Sequence, residues 1–145
     1  VIDGGAGADL LYGGDGDDEL AFDATGDDSG DDLLGADTIV GFTADDTLDF
    51  GAAIVGSTTD PDADATDNIA DIDAGVLVFE DATLSLDELI TDALGFLGGA
   101  GEAAAFTSGA NSYIVYEGTN TQGLIVLQGV SVAGLDFTGN TITLA

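Results

Sequence analysis

The residues best suited to chemistry are aspartates and glycines that recur at a fixed spacing near the start of the chain. Residues 4–21 read GGAGADLLYGGDGDDELA, two consecutive copies of G-G-x-G-x-D-x-U-x, where U is a large apolar residue. The defined positions are Gly4, Gly5, Gly7, Asp9 and Leu11 in the first copy, and Gly13, Gly14, Gly16, Asp18 and Leu20 in the second. Carboxylates spaced by glycine-rich turns are suited to cation binding.

The physical properties of these residue types support that interpretation. Glycine adopts positive φ without strain, so paired glycines let backbone carbonyls crowd inward around an ion. The aspartate adds a carboxylate oxygen to the shell of about six to eight oxygens that calcium prefers. The x-U-x that follows fits a very short strand with its apolar residue turned inward. A flexible Gly/Asp linker would not explain two adjacent copies without a mismatch.

The composition is strongly acidic and is dominated by aspartate. The 145 residues include 29 acidic ones, 24 Asp and five Glu, with no Lys, Arg or His, for a formal charge of -29. Of the acidic residues, 21 lie within residues 1–73. Aspartate favours turns and binds hard cations. Adaptation of a whole proteome to salt would also give an acidic chain, but it does not explain a nine-residue period.

The same composition excludes several classes of function. Without cationic side chains the protein cannot neutralise phosphates, so we expect no nucleic-acid partner, and we expect no membrane insertion because no apolar run approaches the length of a spanning helix. The lack of His, Cys and Lys removes zinc-protease motifs, nucleophile–histidine pairs and Schiff bases. Paired carboxylates remain possible in principle, but turn positions account for the aspartates. We therefore expect no enzyme active site.

The register of the repeat changes after Ala21. Residues 22–26 read as an insertion, and residues 27–35 (DDSGDDLLG) as a degenerate third unit. In this unit Gly30, Asp32 and Leu34 hold positions 4, 6 and 8, and Asp27 replaces a glycine. The apolar residues of 35–51 predict two short strands around a turn at 43–46, and Asp37 is a weaker candidate ligand.

An acidic stretch outside the repeat resembles a second kind of calcium site. Residues 60–71 (DPDADATDNIAD) have oxygen-bearing side chains at positions 1, 3, 5, 9 and 12 of an EF-hand-like loop. These are Asp60, Asp62, Asp64, Asn68 and Asp71. Ala65 stands where the sharp turn favours glycine, and Asp71 is shorter than the usual Glu. A solvated surface loop is the competing interpretation.

The C-terminal part predicts a helix followed by strands. Residues 84–98 have an apolar stripe at helical spacing, and Ser85 with Glu88 forms a capping-box pattern. Three β-like runs follow, at 104–106, 113–116 and 124–127. We expect the stripe and the runs to supply core.

The nonapeptides resemble the calcium-binding repeat of the RTX family. The segment at 35–51 resembles the exit from the β-roll in RTX proteins and in the C-terminal β-roll domain of serralysin-type proteases. More loosely, residues 84–145 resemble the cap of RTX proteins, including RTX-type bacterial S-layer proteins. The resemblance implies a mostly β fold, in which a short parallel β-roll (an RTX β-solenoid) continues into a β-rich cap with one short helix. It implies two nonapeptides per coil, calcium (Ca2+) between stacked turns, and export by type I secretion machinery.

The expected organisation has three segments that form one structural unit. Residues 1–51 are the roll and its exit strands, residues 52–83 an acidic loop with a connecting strand, and residues 84–145 the cap with a helix at 85–97. Because Val1-Ile2-Asp3 fits positions 7 to 9 of a preceding repeat, we expect a larger parent protein.

Two kinds of function fit these features. The first is a calcium-dependent extracellular structural domain, at the cell surface, that self-associates into an S-layer, filament or matrix. The second is a secretion and folding domain of a secreted enzyme, such as a metalloprotease or lipase, or of an adhesin. The absence of Lys and Arg favours the first, since it leaves no trypsin-type cleavage site in a surface lattice.

Overall fold

The computed structural model describes residues 1–22, 34–56, 69–118 and 122–145, and these residues are mostly β structure. One α-helix, α1 (Leu86–Phe96), is present among them. The strands are β1 (Ile2–Asp3), β2 (Leu10–Tyr12), β3 (Glu19–Ala21), β4 (Asp37–Val40), β5 (Thr47–Asp49), β6 (Val55–Gly56), β7 (Ile69–Asp73), β8 (Val76–Phe79), β9 (Glu102–Ser108), β10 (Asn111–Glu117), β11 (Gln122–Gln128), β12 (Leu135–Thr138) and β13 (Thr141–Leu144).

The first five strands alternate between two sheets and pair in parallel. Strands β1, β3 and β5 are neighbours in one sheet, and β2 and β4 are neighbours in the other. Ile2 lies opposite Leu20 and Leu20 opposite Leu48, while Leu11 lies opposite Ile39. Ile2 and Leu20 are two nonapeptides apart in the sequence. The residues of the other two pairs are further apart, because the interrupted segment after Ala21 lies between them. We call β1–β5 the parallel stack.

The C-terminal strands complete both sheets of this stack. Strand β13 lies between β5 and β12 and pairs antiparallel with both, which gives a five-stranded sheet. Strand β11 pairs in parallel with β4, and the eight-stranded sheet continues through β10 and β9 to β8 and β7, with β6 alongside β9. The last stack strand of each sheet, β5 in one and β4 in the other, therefore has a C-terminal neighbour. Among the described strands, β1 and β2 are the outermost of the stack.

The core has two parts because the eight-stranded sheet is apolar on both faces. Along β10, Ile114 and Tyr116 face the five-stranded sheet and join Leu11 and Leu20 in one cluster. Tyr113 and Val115 face the other side and pack in a second cluster with residues of α1. A strand buried on both faces needs a continuous apolar run, which explains why the predicted runs at 104–106, 113–116 and 124–127 are uninterrupted.

The predicted helix and its cap are confirmed. Ser85 accepts a hydrogen bond from the Glu88 backbone N–H, and the Glu88 side chain accepts one from the Ser85 backbone N–H at 2.8 Å. Ile90, Ala93 and Leu94 face the second cluster. The three β-like runs are also confirmed, as parts of longer strands. No helix in the described part of the chain has the length and apolarity needed to cross a bilayer.

The first prediction concerns this capping box. Ser85→Ala should lower the free energy of unfolding by about 1 kcal/mol, because the hydroxyl and carboxylate satisfy backbone donors that the first turn leaves unpaired. The hydrogen bonds from Ser85 hold the pKa of Glu88 below its usual value. The difference in free energy of unfolding between wild type and variant should therefore be fully present when the pH is above the usual pKa of a glutamate. It should shrink as the pH falls through the lowered pKa of Glu88.

Urea unfolding at neutral and acidic pH measures this difference. Ser108→Ala, which lies outside the helix, is the control and should unfold like the wild type. An equal loss at both pH values would contradict the ionised capping box.

Candidate cation site

The two complete repeats form turns with matching backbone conformations. Gly5 and Gly14, at position 2, have φ of 73° and 93°, and Gly7 and Gly16, at position 4, have φ of 108° and 113°. A β-carbon on any of these four would meet nothing within 4 Å. Conformation rather than space therefore requires glycine here, as the sequence predicted.

Position 1 needs glycine for a different reason. Gly4 has no positive φ, but a β-carbon on it would lie 3.1 Å from Oδ2 of Asp9. A β-carbon on Gly13 would lie 3.3 Å from Oδ2 of Asp46. The first glycine of each repeat thus makes room for a carboxylate, in one case that of its own turn and in the other that of the neighbouring turn in the stack.

A repeated hydrogen bond joins successive turns of the stack. The backbone N–H of Asp9 donates to Oδ1 of Asp37 at 2.8 Å, and that of Asp18 donates to Oδ1 of Asp46 at 3.0 Å. Each aspartate pair is separated by 28 residues. The Asp9 and Asp18 carbonyls accept in turn from the N–H groups of Thr38 and Thr47, at 2.8 Å each. The four aspartates therefore occupy equivalent positions in the stack.

Asp46 is almost fully buried and is held by its own turn as well. Its Oδ2 accepts hydrogen bonds from the Thr43 backbone N–H at 2.7 Å and the Thr43 hydroxyl at 3.1 Å. Only 1% of its surface is exposed, and only 2% of that of Asp37. A carboxylate so deeply buried requires such partners, and here protein donors engage both oxygens of Asp46.

The strand register corrects the predicted frame of the third repeat. Ile39, two residues after Asp37, holds the buried position opposite Leu11, whereas Leu34 is 88% exposed. The prediction of Leu34 at the inward position was therefore wrong. The two strands predicted in 35–51 are confirmed as β4 and β5, but they belong to different sheets.

Asp46 was not singled out from the sequence, although a signal was present. The pattern D-x-U recurs at Asp37 and Asp46, nine residues apart, as it does at Asp9 and Asp18. The glycines that identify the first two repeats are mostly missing from residues 41–46, which read GFTADD. Aligning the carboxylate and the apolar residue, rather than the glycines, would have identified this turn.

Asp18 differs from Asp46 in one respect that bears on cation binding. Its Oδ2 is buried and has no hydrogen-bond partner. A carboxylate oxygen shielded from water and left without a donor favours a bound cation. The glycine-rich turn that Asp18 ends is chemically suited to calcium, because backbone carbonyls are hard oxygen ligands of the kind that this ion takes.

Several predicted ligands lie outside the described residues. These are Asp27, Gly30, Asp32, Asp60, Asp62, Asp64 and Asn68. Asp71, the last position of the EF-hand-like pattern, lies exposed on β7, where its Oδ1 accepts a hydrogen bond from the Ile72 N–H at 2.9 Å. Within the described ranges, no group of three or more acidic side chains is arranged to hold a metal ion. The repeat turns would have to rely on main-chain carbonyls.

Comparison with known proteins adds no further information on the site. No protein-family model matches the chain, and no curated protein matches it significantly.

The second prediction is that Asp46→Asn destabilises the fold by about 1–3 kcal/mol. An asparagine side chain has one acceptor oxygen in place of two, so its NH2 group must face a donor, either the Asp18 N–H or Thr43. Asp45→Asn is a matched control, since Asp45 is exposed and the charge change is the same. Denaturant unfolding of both variants tests this, and equal stabilities would contradict the role assigned to Asp46.

Proposed function

We propose that the chain is a calcium-dependent extracellular structural domain of an RTX-like protein, exported by type I secretion and located at the cell surface. The repeats bind calcium ions, and the folded domain self-associates. The observation that carries this proposal is the recurrence of one turn geometry and one interturn hydrogen bond at equivalent aspartates.

The strand order supports a β-roll as the form of the parallel stack. Successive short strands alternate between two sheets, and alternate strands pair in parallel. A chain that winds as a two-sheet coil must have this order. The spacing from Ile2 to Leu20 equals two nonapeptides, as expected for one coil.

Asp9 and Asp18 are the principal calcium ligands in this proposal, with carbonyls of Gly4, Gly5, Gly7, Gly13, Gly14 and Gly16 around them. Bound calcium would supply positive charge, which this chain lacks entirely on its side chains. The orphaned Oδ2 of Asp18 is the strongest support for a ligand role. Asp37 has its Oδ1 engaged by a backbone amide, so its contribution is the weaker one.

Calcium acts as a folding switch in this proposal. Inside a cell, where free calcium is scarce, the aspartates of adjacent turns repel one another and the two- and three-residue strands of the stack cannot hold a core alone. Outside, calcium at millimolar level matches the weak end of calcium-site affinities, roughly 10⁻⁴–10⁻³ M. Binding to the folded state alone then adds stability.

The third prediction tests the switch with a pair of double variants. Asp9→Asn with Asp18→Asn should abolish most calcium-induced structure, because it removes the carboxylate from both complete repeats. Asp15→Asn with Asp17→Asn changes the same charge at exposed positions of the second turn and should retain the response. Calcium titration followed by circular dichroism distinguishes the two.

Hydrogen exchange locates the change. Amides of residues 4–21 should exchange fast in EGTA and slowly in calcium. Full protection there without calcium, or the same titration for both double variants, would refute the switch.

The exposed apolar side chains of β2 form the surface that we assign to self-association. Leu10 and Tyr12 are 56% and 61% exposed, and they lie on either side of the buried Leu11, so both turn away from the core. Exposed apolar side chains that lie together favour contact with another protein surface. Since the chain has no cation to pair with carboxylates of an identical copy, apolar contacts, backbone pairing and shared calcium ions must supply the contact.

The fourth prediction is that Leu10→Ser with Tyr12→Ser weakens association by about tenfold or more, because burying a large apolar side chain contributes roughly 1.5–3 kcal/mol. Val55→Ser is the control, since Val55 is 62% exposed on β6, away from β2. Sedimentation velocity in millimolar calcium measures the effect. A wild-type protein that stays monomeric at high concentration would contradict self-association while leaving the calcium switch intact.

A further inference from the structure

A cavity of about 480 Å³ lies where β8 separates from β9. The two strands pair at a single position, Val76 with Ala105, and no further residue pair joins them among the described residues. The gap continues toward Phe79 on one side and Thr107 on the other. Because main-chain groups alternate along a strand, Thr107 presents its N–H and C=O to the same edge as Ala105, and this edge faces the gap.

The walls of the cavity are mainly apolar and come from several elements. Phe79 belongs to β8, Leu84 to the segment before α1, Leu89 to the helix, and Val132 to the 3-10 turn Val132–Gly134. The volume lies in the range of sites for small organic ligands, about 300–1,000 Å³. Apolar walls of this kind suit the body of an organic ligand better than a hydrated inorganic ion.

One carboxylate, that of Asp81, lines this cavity. Its Oδ1 accepts hydrogen bonds from the Thr83 N–H at 2.8 Å and the Thr83 hydroxyl at 2.6 Å. These bonds fix the side chain and lower the pKa of Asp81, so the group is ionised at neutral pH. Oδ2 of Asp81 accepts no hydrogen bond from the described residues and is available to a ligand.

We propose that this cavity binds a small organic ammonium ion, with its apolar body between β8 and α1 and its ammonium group at Asp81. The apolar side chains around Asp81 supply no further oxygen ligands for the shell that calcium takes, whereas one carboxylate and an apolar wall suffice for an amine. No lysine or arginine of this chain competes for Asp81. The site is separate from the repeat turns and independent of their proposed role.

Titration with phenethylammonium, followed by amide chemical shifts in saturating calcium and 0.15 M salt, tests the proposal. The shifts should concentrate at Leu84–Leu89 and Thr107–Gly109. Asp81→Asn should weaken phenethylammonium about threefold to fivefold, the scale of a solvent-exposed ion pair, and leave neutral 2-phenylethanol unchanged. Asp87→Asn, an exposed position on α1 outside the cavity lining with the same charge change, should leave both unchanged.

A second variant tests the apolar wall. Leu89→Trp fills the cavity and should abolish binding of both compounds, and Val132→Phe serves the same purpose if the first variant does not fold. Equal weakening by Asp81→Asn and Asp87→Asn would show attraction to the overall charge only and would overturn the proposal. Shifts dispersed over the surface, or binding retained by the filled variant, would also overturn it.

Discussion

The parallel stack depends on one repeated hydrogen bond, from the backbone amide of an aspartate to the carboxylate of the equivalent aspartate in the next turn. It links turns that are distant in sequence and fixes their register. A slip of one residue would break it and would also turn Leu11 and Leu20 out of the core, because side chains alternate along a strand. Polar and apolar contacts therefore specify the same alignment, although the strands are only two to four residues long.

The second constraint is charge. With no cationic side chain, this protein can stabilise a carboxylate only through backbone, hydroxyl or side-chain amide donors, or through ions from solution. The buried aspartates use the first route, since Asp37 and Asp46 accept from main-chain amides. The exposed aspartates of the repeat turns have few such donors, and their mutual repulsion opposes the compact state unless cations are bound. The calcium binding that we propose would relieve this repulsion.

Sequence reasoning was most successful where local pattern and tertiary role coincide. Ser85 and Glu88 act within one helical turn, and the runs of β9–β11 are apolar on both faces, so short windows sufficed. It failed at Leu34, because glycines were used to frame the third repeat whereas the fold retains the D-x-U pattern. The cavity at Asp81 was beyond prediction, since it arises where β8 and β9 diverge after a single pair.

The turns of the stack differ in what satisfies their carboxylates, and the difference lies at the third position of the turn, which is Thr43 in one turn and Asp15 in another. In residues 41–46, Thr43 supplies two donors to Asp46, and the Asp18 amide supplies a third. In residues 13–18, Asp15 stands at the position of Thr43 and has no hydroxyl to donate, and one oxygen of Asp18 has no hydrogen-bond partner. A turn whose carboxylate accepts hydrogen bonds from protein donors can form without an ion. A glycine-rich turn loses more backbone entropy on folding, and the turn at 13–18 keeps a carboxylate oxygen that has no hydrogen-bond donor. The turn at 41–46, whose strand β5 pairs with β13, can therefore act as the fixed template. In the proposed calcium switch, the glycine-rich turns would order upon it when a cation supplies the missing contacts.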